Sequence, residues 1–217
     1  MNVEELVKEL KAVAKPDDAV AMKAYMKNKF DFLGVKTPAR RKLSKAFFKQ
    51  QTDSVIDWDF INEAWSNPYR ESQYIALDYL EIRKKLLTPS DLPRLKKLAQ
   101  TKSWWDTIDF LDRLVGSIIA RFPETKEIIL AWSCDEDFWL RRLAIDHQLL
   151  RKEETDTELL EKILVNNLDQ TEFFINKAIG WALRDYSKTN SDWVRDFIQR
   201  HREEMAALSI REGSKYL

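Results

Sequence analysis

Apolar residues recur along this chain at a fixed interval. Leu43, Leu77, Leu111, Ile145 and Ile179 stand 34 residues apart, and so do Ile61, Leu95, Ile129, Ile163 and Phe197. A self-similar period of this length marks a repeat protein, in which neighbouring units bury their apolar faces on one another. Around each position the apolar residues step by three and four, which predicts helices. One set of helices is expected over roughly 55–66, 90–101, 124–133, 157–168 and 192–203. A second set alternates with it over roughly 38–50, 70–84, 104–121, 137–150 and 172–187. Two more helices, near 2–14 and 17–29, precede the first repeat. Helix starts are signalled by Ser90-Asp-Leu-Pro93, Pro123-Glu124, Thr155-Asp156-Thr157 and Asn190-Ser-Asp192, which offer capping side chains or a first-turn proline. No long alternating pattern of the strand type occurs.

Helical hairpins repeated at this interval stack into a solenoid, with the second helices commonly lining the inner surface. The expected fold class is therefore all-α, a HEAT-like repeat solenoid with a concave basic face, in one domain over residues 1–217. Tetratricopeptide repeats share the period. Their Trp…Leu-Gly…Tyr consensus is missing, however, and Gly116 and Gly180 do not stand at its glycine position. A repeat scaffold of this kind would ordinarily bind protein.

Composition narrows the chemistry. The 217 residues contain 36 Lys and Arg against 36 Asp and Glu, so overall charge provides no polyanion-binding signal. A single cysteine, Cys134, and two histidines, His147 and His201, exclude a disulfide framework and any His- or Cys-rich metal centre. No metal or cofactor is expected. No signal-peptide pattern or membrane-length apolar run is seen, and a cytoplasmic location with no membrane partner is the expectation. The balanced charge is nevertheless segregated. Residues 32–52 carry Lys36, Arg40, Arg41, Lys42, Lys45 and Lys49 without one acid, whereas 153–161 carry five acids and no base. Each run alone is an ordinary solvated face, but basic clusters recur in several second helices.

Two helices present residues that a core does not claim. After Ser103, the stripe Trp104, Ile108, Leu111, Val115 and Ile118 is expected inside. Trp105 lies about 100° away, on a face continuing through Asp109, Asp112, Arg113 and Gly116. In the helix from Thr171, Ile175, Ile179, Leu183 and Tyr186 form the inner stripe, while Phe174, Lys177, Trp181, Arg184 and Lys188 share another. Aromatic and basic residues on one face suit a nucleic-acid backbone with a stacking surface beside it. Packing of Trp105 and Trp181 into grooves between repeats is the competing reading of each helix alone. Between the two helices, periodicity does not decide whether Arg141 or Arg142 turns inward. Trp58, Trp65, Trp132, Trp139, Trp193 and His147 are assigned to packing, and Cys134 is a poor nucleophile candidate.

Ser103-Trp-Trp-Asp-Thr-Ile-Asp109, Trp139-Leu-Arg-Arg142 and Phe173-Phe-Ile-Asn-Lys-Ala-Ile-Gly-Trp181-Ala-Leu-Arg184 resemble the signatures of the AlkD family. Tyr25-Met-Lys-Asn28 and Phe32-Leu-Gly-Val-Lys-Thr-Pro-Ala-Arg-Arg41 resemble its N-terminal region, so the similarity spans about residues 20–190 in consistent order. That family consists of bacterial HEAT-like-repeat DNA glycosylases that excise cationic N3- and N7-alkylated purines without flipping the base. The resemblance implies Asp109 as catalytic carboxylate, Trp105 and Trp181 as indoles facing sugar and phosphate, and Arg142 as active-site arginine. It implies backbone contacts by Lys36, Thr37 and Arg41, with Lys36 standing where glutamine is more usual. Lys177 and Arg184 join the expected DNA-binding set, and the expected partner is duplex DNA containing alkylated purines, bound by a monomer. The family includes catalytically defective relatives that lack the tryptophan or the aspartate. Two other readings are a non-catalytic scaffold binding DNA or protein, and a lyase using Lys177 as its amine.

Overall fold

The computed structural model describes residues 2–49 and 55–217. Among these residues there are helices and single 3-10 turns but no strand, only an isolated parallel bridge between Asp31 and Tyr69. The chain divides into two compact units, residues 1–87 and 88–217. No helix is long and apolar enough to cross a membrane.

The first unit holds α1 (Val3–Ala12), α2 (Pro16–Tyr25), α3 (Thr37–Phe48), α4 (Trp58–Ser66) and α5 (Arg70–Ile82). The predicted helix 38–50 thus appears as α3, and its expected last residue, 50, lies outside the described residues. The helix expected over 17–29 ends early, at Tyr25, because Lys27 and Asn28 adopt positive φ angles of 56° and 58°. Helices α3, α4 and α5 meet through Phe48, Phe60 and Tyr79, whose rings are 5.3–6.2 Å apart. Edge-on contacts of this kind add about 0.5–1.5 kcal/mol per pair to simple burial. The loop leading into α3 is tied by Glu71, fully buried in the first turn of α5. Its carboxylate accepts the backbone N–H groups of Leu33, Gly34 and Val35 at 2.9–3.1 Å. A buried carboxylate needs such donors, and the loop they secure sets where Lys36 and Thr37 begin α3.

The second unit contains α6 (Leu92–Ala99), α7 (Trp105–Arg121), α8 (Lys126–Trp132), α9 (Phe138–Asp146), α10 (Thr157–Val165), α11 (Phe173–Ser187), α12 (Ser191–Arg200) and α13 (Ala207–Gly213). Helix α7 packs on α9 and α9 on α11, while α6, α8, α10 and α12 pack against them from outside. That neighbour-to-neighbour stacking is the all-α, HEAT-like solenoid arrangement. Nine of the ten positions in the 34-residue register are buried, Leu43 alone being half-exposed. Asp156 and Asn190 cap α10 and α12 by accepting the N–H groups of Leu159 and Trp193 at 3.0 Å. The predicted helices near 90 and 124 begin instead as 3-10 turns at Pro89 and Pro123, before α6 and α8 proper.

Two expectations need correction. Trp104 is not the first residue of the inner stripe but the extended residue before α7, at φ −162°, and is only half-buried. Asp112 and Gly116 do not share an outward face with Trp105, since both are buried. A Cβ at Gly116 would stand 2.1 Å from the carbonyl oxygen of His147, so glycine is what lets α7 and α9 approach so closely. Helix α13 and the 3-10 turn Ser214–Tyr216 after it were not predicted at all. The inward residues of α13 are Ser209, Glu212 and Gly213, which carry no apolar periodicity.

A candidate carboxylate–arginine–indole site

Trp105 opens α7 and Asp109 follows one turn later, so both leave the helix on the same side and both are half-buried. One helix further along the stack, α9 presents Arg142. Of the two arginines that periodicity could not separate, this is the inward one, with a side chain only 2% exposed. Its Nε and Nη2 donate to the two carboxylate oxygens of Asp109 at 2.8 and 3.0 Å, the bidentate fork that suits a guanidinium to a carboxylate. Nη1 donates to the carbonyl of Phe174 at 2.7 Å, tying the fork to the first turn of α11. From α11, Trp181 places its ring 5.3 Å from the guanidinium carbon of Arg142. Three successive inner helices therefore assemble Asp109, Arg142 and Trp181, with Trp105 one turn ahead on α7.

Aromatic packing fixes the frame. Trp104 meets Trp139 at 5.7 Å and Phe174 at 5.1 Å, and Trp139 meets Phe174 at 4.8 Å. The assignment of Trp139 to packing holds, and its ring contacts Phe174, whose carbonyl accepts from Arg142. Trp58, Trp65 and Trp132 are buried as well, while Trp193 is half-buried against Tyr186 and Phe197. His147 is buried and donates Nδ1–H to the carbonyl of Ala144 at 2.6 Å. Burial, followed by the nearby Arg151, pushes its pKa down to about 3, so the ring is neutral.

Two further carboxylates stand behind the fork: Asp112, which the helical pattern had placed on the outward face, and Asp146, which the sequence did not single out. Asp112 and Asp146 are both buried, and Asp146 lies 3.7 Å from Nη2 of Arg142. Among the described residues neither oxygen of Asp146 accepts a hydrogen bond, nor does Oδ1 of Asp112. Burial raises Asp146 to about 8, against the pull of Arg142. Burial also raises Asp112 well above the carboxylate range, helped by the charges of Asp146 and Asp109. For Asp109 burial again dominates and lifts its pKa, although the Arg142 fork opposes the shift. Arg142 itself is depressed by burial, but Asp146, Asp109 and Asp112 outweigh that and raise it. The cluster is thus one cation among three acids, and burial raises the pKa of every one of the three.

Around Trp181 the cations gather as expected. Lys177 and Arg184, one turn to either side on α11, both lie 5.9 Å from the ring centroid. In the first unit, Lys36 precedes α3 and pairs with Asp18 at 2.7 Å, and Thr37 is exposed at the first turn. Arg41 points outward, 59% exposed, while donating to Asp78 of α5 at 3.3 Å. Arg40 is buried on the same aspartate, which removes it from the apparent basic run. Among the described residues no group of three His, Cys, Asp or Glu side chains is arranged to hold a metal ion.

Three stacked inner helices thus converge a carboxylate, an arginine and an indole, with two further cations beside the indole, in a HEAT-like repeat protein. Residues 6–217 match the family described as DNA alkylation repair enzyme, and the chain belongs to this AlkD family. A solved structure, described as a predicted DNA alkylation repair enzyme from Enterococcus faecalis, aligns with a TM-score of 0.87. It is 36% identical over 94% of this chain and 96% of its own. No curated protein matches the chain.

Proposed function

We propose that the protein is a monofunctional DNA glycosylase that hydrolyses the N-glycosidic bond of cationic N3- and N7-alkylated purines in duplex DNA, without extruding the base. The observation that carries this reading is the Asp109–Arg142 fork beside Trp181, a partly exposed carboxylate held by a buried guanidinium. A surface made only to grip phosphates needs no partly exposed carboxylate whose pKa burial has raised.

The chemistry asks little of the site. An alkylated purine already carries positive charge, so when the C1′–N bond breaks the electron pair neutralises the departing base and no general acid is needed. What remains is an oxocarbenium-like sugar and an attacking water. Asp109 faces the developing charge, and it takes the water proton as the new C1′–O bond forms. A carboxylate whose pKa burial has raised is the stronger base for that step. Indole faces of Trp105 and Trp181 complement the cationic sugar. Arg142 orients Asp109, and Lys36, Thr37, Arg41, Lys177 and Arg184 hold the flanking phosphates.

Purified protein should release N3-methyladenine or N7-methylguanine from methylated duplex DNA without added metal, leaving an unbroken abasic strand. Activity lost to a chelator, or strand scission in step with base release, would refute hydrolysis by Asp109. Scission would favour the lyase alternative.

A further inference from the structure

The unpredicted helix α13 brings one acid to the Trp181 face. Glu212 accepts from Lys177 at 3.1 Å, from Arg184 at 2.9 Å and from Lys215 at 2.9 Å, with its own side chain 6% exposed. Lys215 and Lys177, donating to the carboxylate, hold its pKa down at about 2. The acid reaches the cations because α13 lies hard against α11. A Cβ at Gly180 would stand 2.5 Å from Cβ of Glu212, and the Ser209 hydroxyl donates to the carbonyl of Asn176 at 2.8 Å.

One carboxylate opposed by three cations is more than a structural clamp requires. A single lysine would satisfy it, and the surplus positive charge collects where Lys177 and Arg184 already flank the Trp181 ring. Lys215 remains 45% exposed, so its ammonium can exchange a share of Glu212 for an incoming anion. We propose that Lys215 completes a phosphate-binding cluster with Lys177 and Arg184, gathered by Glu212 acting as a positioning residue, for a phosphodiester of the DNA backbone beside Trp181. The proposal rests on the DNA-repair reading given above and adds to it a site supplied by the C-terminal helix.

The test is binding of a fluorescein-labelled undamaged duplex, followed by anisotropy from 50 to 200 mM salt, alongside base release by the wild-type protein. Lys215→Ala should weaken binding by roughly three- to tenfold and reduce the log–log salt slope by about 1, the loss of one neutralised phosphate. Lys97→Ala, an exposed lysine of α6, should leave the slope unchanged. If Glu212 gathers the cluster, the effect of Lys215→Ala should shrink by at least half in a Glu212→Gln background. A slope for Lys215→Ala equal to that of wild type would overturn the phosphate contact. Equal losses in both backgrounds would overturn the gathering role of Glu212. Wild-type base release with an inert Lys215→Ala sinks only the cluster, whereas a responsive Lys215→Ala with no base release sinks only the glycosylase.

Discussion

Replacing Asp109 by Asn removes one negative charge at the centre of the site and keeps its shape. Arg142 loses two charge-assisted hydrogen bonds of 2.8 and 3.0 Å and retains one neutral acceptor in their place. For catalysis, losing the charge opposite the oxocarbenium ion and the base for water costs about 3 kcal/mol or more, a hundred- to thousandfold in rate. For stability, stripping a partner from a buried ion pair costs about 3–5 kcal/mol when nothing replaces it. Here something does. Asp146 stands 3.7 Å from Nη2 and holds a proton that it can release, so the expected loss is smaller, about 1–3 kcal/mol. Neutralising both acids, in Asp109→Asn/Asp146→Asn, leaves Arg142 without a facing carboxylate apart from the deep Asp112. It should destabilise by more than the sum of the single changes. Single-turnover release of free base from methylated duplex, with protein in excess, measures the first effect, and thermal melts measure the second. Base release by Asp109→Asn within threefold of wild type, with DNA binding retained, would refute the role given to Asp109. Additive melts would refute the shared hold on Arg142.

Other outcomes follow from the same geometry. Trp105→Ala should slow base release less than Asp109→Asn does. It should cost less stability than Trp104→Ala, which opens the contacts to Trp139 and Phe174, and equal losses in melting temperature would place Trp105 in the packing instead. In the double variant Arg41→Ala/Arg184→Ala the salt slope of duplex binding should flatten, and an unchanged slope would make these cations merely solvated. Asp146, raised from 3.8 to about 8 in the folded protein, favours folding fully below the lower value, and that contribution is lost as pH rises toward 8. Asp146→Asn should therefore gain stability relative to wild type as pH rises from 5 to 8, by on the order of a few kcal/mol, read from melts across that range. A gap independent of pH would show that Asp146 is ionised throughout. The rate of base release should rise with pH through an Asp109 pKa above the usual carboxylate value and then level, and a rate flat down to pH 4 would oppose its role as base.

Local pattern was enough to determine the paired helices of the repeat. An apolar stripe at helical spacing must find a partner, and a repeat of 34 residues supplies the same partner each time, so nine of ten register positions are buried. The face carrying Lys177, Trp181 and Arg184 was legible for the same reason, since helical geometry alone places residues four and seven apart on one side. Charge pairing was not legible, because it depends on which helix comes opposite. Arg142 is chosen over Arg141 only when α7 presents Asp109, and Arg40 leaves the basic run only when α5 presents Asp78. Asp112 read as a neighbour of Asp109 on an open face and Asp146 as an ordinary polar position, until the packing of α7 on α9 buried both and raised their pKa values. Helix α13 escaped notice because its buried side is Ser209, Glu212 and Gly213, held by hydrogen bonds and close backbone approach instead of apolar area. Hydrophobic burial is written along the chain with the period of the helix. An ion pair between residues some thirty positions apart exists only once the tertiary structure has brought them within 3 Å of each other.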